Sequence, residues 1–160
     1  MEGEYMKDLF FYNWQVRDEW LEWCMEVLGN KLIDSKSEDM QNIIQTLFHL
    51  IYKEQHWMSI IKEKPDLIQN NKESMLTIEE VVEYSRYTRP FIRAFIAENQ
   101  FESNAIQKED GFGTPQLLNN SLHQVIIQEF HHIGQISIWA SNLGYVPQES
   151  NINDNRILID

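Results

Sequence analysis

A chain of 160 residues, 42% apolar and 12% aromatic, is long enough for one domain with its own core and needs no disulfide or metal staple. Its formal net charge of -12 argues against a basic face for nucleic acid and disfavours an anionic membrane surface. A single cysteine, Cys24, forms no intramolecular disulfide and fits a reducing compartment; lying in an aromatic helical segment, it reads as a buried, inert thiol.

The opening MEGEYMKDLFF has no signal-peptide pattern, and no apolar run approaches the ~18 residues of a membrane span, so a cytoplasmic protein is expected. Periodicity and punctuation predict four long helices. The first covers Glu4 to Leu28 and stops at Gly29-Asn30. Leu9, Phe10, Tyr12, Trp14, Val16, Trp20, Leu21, Trp23, Cys24, Val27 and Leu28 spread around most of its circumference. A helix apolar on nearly every side must be covered on nearly every side, which points to a homodimer. The second covers Ser37 to Lys62, with Ser37 as N-cap, Glu38-Asp39 at the positive end of the dipole, and Pro65 closing it.

A polar, Asn-rich loop follows from Lys64 to Ser74. The third helix starts from a capping box of Thr77 and Glu80 and runs to Asn99, with Pro90 expected to kink or split it near Thr88. A second loop covers Phe101 to Gly113. The fourth helix has Thr114 as N-cap and Pro115 in its first turn, and ends at Asn142-Leu143 before Gly144 and Pro147. The expected organisation is all-α: one four-helix-bundle domain over residues 1–147, up-and-down or with longer connections, and a polar tail over 148–160.

Five histidines fall on the second and fourth helices: His49, His56, His123, His131 and His132. Gln128 and His132 are one turn apart on one face of the fourth helix, with Ser121, Gln124, Val125, Gln135 and Trp139. Leu122, Ile126, Ile133 and Ala140 point elsewhere. On the second helix, His49 shares a stripe with Asn42, Gln45, Lys53 and His56, opposite Ile44, Leu47, Ile51 and Met58. Periodicity leaves two readings open. Either both stripes are solvated faces, or they meet across a cleft and build a site. His49 and His56 lie roughly 10 Å apart along the helix and do not share one ion. His123 projects elsewhere, and His131 borders the stripe. A Gln/His pair is a weaker metal signal than paired histidines, because a neutral amide oxygen is a poor ligand for zinc-like ions.

The segment LFHLIYKEQHW, Leu47 to Trp57, resembles the second-helix signature of the DinB/YfiT-like superfamily, matching at His49, Glu54 and Trp57. LHQVIIQEFHHIGQISIWASNLG, Leu122 to Gly144, resembles its fourth-helix signature at His132, Gly134 and Gln135. FFYNWQVRDEWLEWC, Phe10 to Cys24, resembles its first helix. The resemblance implies a four-helix bundle, often dimeric. It also implies a divalent ion (zinc, nickel, manganese or iron) held by one histidine of the second helix and two of the fourth. Carried over, the ligand positions are His49, Gln128 and His132, and Gln128 departs from the expected histidine. Ile133 stands where arginine is common. Two functions follow. One is a metal-dependent enzyme acting on a low-molecular-weight thiol, with the ion lowering the pKa of bound thiol or water and Glu129 or His131 assisting. The other is a metal-poor member that binds a small ligand or acts as a stress-related, non-enzymatic dimer.

Overall fold

The computed structural model describes residues 2–65, 76–98 and 115–145. The expected loops beyond Pro65 and over 101–113, the Thr114 cap, Pro147 and the tail lie outside them. The described residues form four helices and no strand: α1 (Glu2–Gly29), α2 (Glu38–Ile61), α3 (Ile78–Glu98) and α4 (Pro115–Asn142). None is long and apolar enough to cross a membrane.

Local chemistry explains most of the boundaries. Ser37 Oγ accepts from the Met40 N–H at 3.2 Å and caps α2. Thr77 and Glu80 form a reciprocal capping box: Glu80 N–H donates to Thr77 Oγ1 and Thr77 N–H to Glu80 Oε2. At the end of α4, Tyr145 N–H reaches Ala140 C=O and Gly144 N–H reaches Ser141 C=O, a Schellman cap with Gly144 at φ +88°.

The same bond pattern closes α1 and α2, but with side-chain-bearing residues at the left-handed position. Leu32 N–H bonds Val27 C=O and Lys31 N–H bonds Leu28 C=O, with Lys31 at φ 54°. Lys64 N–H bonds Ser59 C=O and Glu63 N–H bonds Ile60 C=O, with Glu63 at φ 53°. The stop after α1 is therefore centred on Lys31, not on Gly29-Asn30 as the sequence suggests. Both residues are exposed, so glycine there relieves the left-handed strain without touching the core. Lys31→Gly and Glu63→Gly are each expected to stabilise by about 1 kcal/mol, roughly 2–4 °C in thermal midpoint. Thermal unfolding of the single and double variants checks this.

Pro90 does not split α3, which continues from Ile78 to Glu98 as one helix. Proline supplies no N–H to the carbonyl four residues back. Two residues before Pro90, the Thr88 hydroxyl donates to the carbonyls of Tyr84 and Ser85.

Each helix carries a stripe of inward positions alternately three and four residues apart, the spacing of a bundle seam. In α1 it is Met6, Phe10, Asn13, Arg17, Trp20, Cys24 and Val27; in α2, Met40, Ile43, Leu47, Leu50, Glu54 and Trp57. In α3 it is Ile78, Val81, Ser85, Thr88, Ile92 and Phe95; in α4, Leu122, Ile126, Glu129, Ile136 and Ala140, where half-buried Ile133 fills the seven-residue step between Glu129 and Ile136. All of these but Ile133 are buried. The polar members fall at one level, so the core is two apolar clusters with a polar layer between them.

The clusters also give the topology. α1 and α4 run from the Phe10–Trp57–Ile126 cluster towards the Trp20–Leu47–Ile136 cluster, while α2 and α3 run the other way. α3 and α4 each pack between α1 and α2. Adjacent α2 and α3 are thus parallel, with the end of α2 and the start of α3 at opposite ends of the bundle. The helix directions are therefore not those of the simple up-and-down form. The aromatic α1 is covered by its own bundle: only Tyr5 and Met25 of its large apolar side chains are exposed. Cys24 is fully enclosed, and burial pushes its thiol up to about 12, as expected of an inert core cysteine.

Candidate ligand site between α2 and α4

Antiparallel packing of α2 on α4 brings the two histidine stripes together. The His49 and His132 rings meet edge to face with centroids 6.4 Å apart. His132 is half-buried, and its Nδ1 lies 3.0 Å from Gln135 Oε1. With the amide oxygen towards the ring, Nδ1 donates and Nε2 keeps its lone pair. His131 is exposed and packs its ring against His132 at 5.5 Å. Gln128 is exposed on the same seam, and its Oε1 accepts from Lys53 Nζ at 3.3 Å. His56 stacks on Tyr52, a full two turns from His49, and His123 is exposed away from the seam.

Lys53 is the residue whose role the sequence reading passed over. It sits one turn after His49 and brings a cation onto the amide oxygen at position 128. Burial holds the His49 imidazole below its ordinary value of 6.5, with Lys53 and then His132 adding repulsion. A histidine with a lowered folded value disfavours the fold as pH falls below 6.5, because the unfolded chain takes up the proton first. The His49 midpoint, read by proton NMR, is expected below 6.5 in the wild type. It should move upward in Lys53→Met, where one source of repulsion is gone.

The acidic residues near the cleft face inward. Glu54 and Glu129 flank Arg17 in the polar layer. Arg17 Nη2 donates to Glu54 Oε2 and Glu129 Oε2, each at 2.7 Å, and Arg17 Nε donates to Glu129 Oε1 at 2.8 Å. Trp14 Nε1 donates to both Glu54 oxygens at 3.0 Å, and Asn13 Nδ2 to the Ile126 carbonyl at 3.3 Å. Arg17 is 1% exposed, and Glu54 and Glu129 are 2% exposed each. Burial works against the guanidinium charge, but Glu129 and Glu54 more than offset it and hold Arg17 more firmly protonated than a free arginine. Burial pushes Glu129 up against the pull of Arg17, and the Glu54 carboxylate adds to that rise. One cation serves two carboxyl groups here, and the charge of Arg89 adds to the pull on Glu129. Glu129, expected from sequence to assist chemistry in the cleft, is instead bound into this core triad.

A divalent ion at His49, Gln128 and His132 would find two imidazoles and one neutral amide. Among the described residues no three His, Cys, Asp or Glu side chains converge on a common point. Two imidazoles sharing a tetrahedral ion at about 2.0–2.1 Å have ring centroids roughly 5 Å apart, closer than the 6.4 Å found. The third position already carries an ammonium. This donor set does not fit a tightly held three-ligand metal centre.

The sequence model of the DinB family matches residues 2–156. The chain is also 32% identical over 144 residues to the uncharacterized protein YizA of Bacillus subtilis (strain 168), covering 89% of this chain and 90% of that one. The matched span takes in all four helices, the His49–His132 seam and the Arg17 triad, and the chain belongs to the DinB family.

Proposed function

We propose that this protein is a metal-poor member of its family, and that the α2/α4 cleft binds a small molecule through Lys53, Gln128, His49 and His132. The observation that carries this reading is the Lys53 ammonium on the Gln128 oxygen, 3.3 Å away. A cation at the third ligand position opposes a divalent ion and favours a ligand with an acceptor group. His49, held mainly neutral at pH 7 by burial, offers a ring nitrogen as donor or acceptor. Metal analysis of untagged protein purified without chelator tests the reading. It predicts well under one equivalent of zinc, nickel, manganese or iron per chain. One full equivalent that survives dialysis against a weak chelator overturns it.

The edge-to-face approach of His49 and His132 favours a second reading, a divalent-ion-dependent transferase working with a low-molecular-weight thiol. Glutathione-type thiols added with zinc to the wild type would then give turnover that His132→Ala abolishes.

The homodimer belongs to the proposal too, with a different surface from the aromatic α1. Ile127, Phe130 and Ile138 stand 58%, 45% and 63% exposed on one side of α4. Gly134 lies among them with open space where a Cβ would be. Such a stripe lets a second helix approach closely. Sedimentation at micromolar concentration should give twice the chain mass, and Ile138→Asp should give the monomer. A wild type that sediments as a monomer removes the dimer.

A further inference from the structure

On the seam opposite the histidine cleft, α3 presents Arg86, Arg89 and Arg93, three and four residues apart on one face. With Pro90, Ala94 and Ala97 they line an open groove of about 530 Å³, within the size range of small-molecule sites. The three arginines are not equivalent. Arg89 is committed: its two terminal nitrogens grip the Asp18 carboxylate, and its guanidinium lies 4.9 Å from the Trp14 ring. Arg93 is held in place without being neutralised. Its guanidinium lies 5.5 Å from the Trp14 ring and 5.9 Å from the Phe11 ring, and it makes no ion pair among the described residues. Arg86 is exposed and likewise has no hydrogen-bond or ion-pair partner among them.

In a chain with 25 acidic residues against 13 lysines and arginines, two guanidiniums on one helix face without an ion pair among the described residues concentrate positive charge in one place. Arg86 and Arg93 are seven residues apart, roughly 10 Å along the helix. Pro90 lies between them, and Ala94 and Ala97 continue the same lining past Arg93, so the groove has an apolar floor of small side chains. Planar guanidinium forks at the edges suit phosphate oxygens bidentately, and the floor suits an organic body more than a bare ion.

We propose that the Arg86–Arg93 groove of α3 is a binding site for a small organic phosphate, separate from the α2/α4 cleft and independent of how that cleft is used. Arg93, already stacked on Trp14 and Phe11, supplies a pre-positioned fork, and Arg86 closes on the other end of the ligand. Arg89, tied to Asp18, shapes the groove and adds its positive charge without its terminal donors.

The test uses the full-length, uniformly nitrogen-15-labelled protein at low salt, followed through its arginine side-chain and backbone amide signals. ADP, pyrophosphate and adenosine are titrated separately, all without metal. ADP should shift the Arg86 and Arg93 signals and the α3 amides from 86 to 97 saturably, pyrophosphate more weakly, and adenosine not at all. Arg86→Gln/Arg93→Gln should weaken ADP binding by roughly tenfold or more, with backbone amide signals of the other helices unchanged. Arg86→Gln alone, at an exposed residue with no hydrogen-bond or ion-pair partner among the described residues, should weaken it in part without altering the fold. The proposal is overturned if ADP and pyrophosphate leave these signals unmoved, or if the double variant binds ADP as the wild type does. It is also overturned if adenosine binds equally well, or if poly-glutamate peptide shifts the groove signals while ADP does not.

Discussion

Arg17→Met is expected to cost about 3–5 kcal/mol of folding stability, roughly 6–20 °C in thermal midpoint for a chain of this size. The side chain is of similar length and apolar, so little packing volume is lost. What is lost is the cation shared by Glu54 and Glu129, which are both buried and linked to it at 2.7–2.8 Å. Their carboxyls then stay in the core without that counter-charge; burial already pushes the Glu129 carboxyl up, and the pull of Arg17 that opposes this rise is removed. A carboxyl raised in this way costs stability increasingly as pH climbs above its unfolded value, about 4.3. The deficit of Arg17→Met should therefore be largest at neutral pH and shrink towards pH 4.5. Urea unfolding at pH 7.5 and pH 4.5 checks both the size and the sign.

A triple change, Arg17→Met, Glu54→Gln, Glu129→Met, should recover most of the loss. Replacing a whole buried ionic triad with neutral groups of similar volume is often neutral or stabilising. Glutamine is chosen at 54 because Trp14 Nε1 still needs an acceptor there. A single variant that loses less than about 1 kcal/mol would mean that the polar layer contributes only as surface ion pairs do.

The second large effect is at the cleft. In Lys53→Met/Gln128→His the ammonium is gone and a third imidazole stands one turn before His132. Zinc affinity is expected to rise at least roughly 100-fold over the wild type, as a two-imidazole set becomes a three-ligand one with an open position. Gln128→His with Lys53 retained should gain less, because a unit positive charge a few ångströms from a divalent ion opposes binding even at high effective dielectric. Competition against a chromophoric chelator reads both. Equal gains with and without Lys53 would show that Lys53 does not govern position 128.

Much of the bundle is legible in the sequence because its signals are local. Ser37, the Thr77–Glu80 box and Gly144 each act within one turn, and each caps the helix end it marks. Lys31 and Glu63 are not legible as caps, since the left-handed position normally announces itself with glycine. Nor does the sequence show that α3 runs on past Pro90 to Glu98 as one helix, since proline signals only a missing N–H and a local clash. At the candidate site, the meeting of His49 with His132 follows from two stripes and a familiar motif. The triad was missed because Arg17-Asp18-Glu19 looks like an ordinary solvated run. A signal was present even so. Arg17, Glu54 and Glu129 are each the one charged residue in an otherwise uncharged seam, at matching levels and with opposite charges. Lys53 is harder to see: its effect depends on the 3.3 Å approach of two helices' side chains, which no single-helix pattern contains.

The central claim is that His49 and His132 face each other in a cleft that holds no tight metal. Imidazole nitrogen-15 NMR on the untagged wild-type protein tests it at the atoms concerned. One equivalent of zinc is added in the presence of an equimolar, moderately strong chelator. The account predicts that the His49 and His132 nitrogens keep their metal-free shifts and that both respond in Lys53→Met/Gln128→His. Wild-type His49 and His132 moving together to metal-bound shifts under that competition would contradict it.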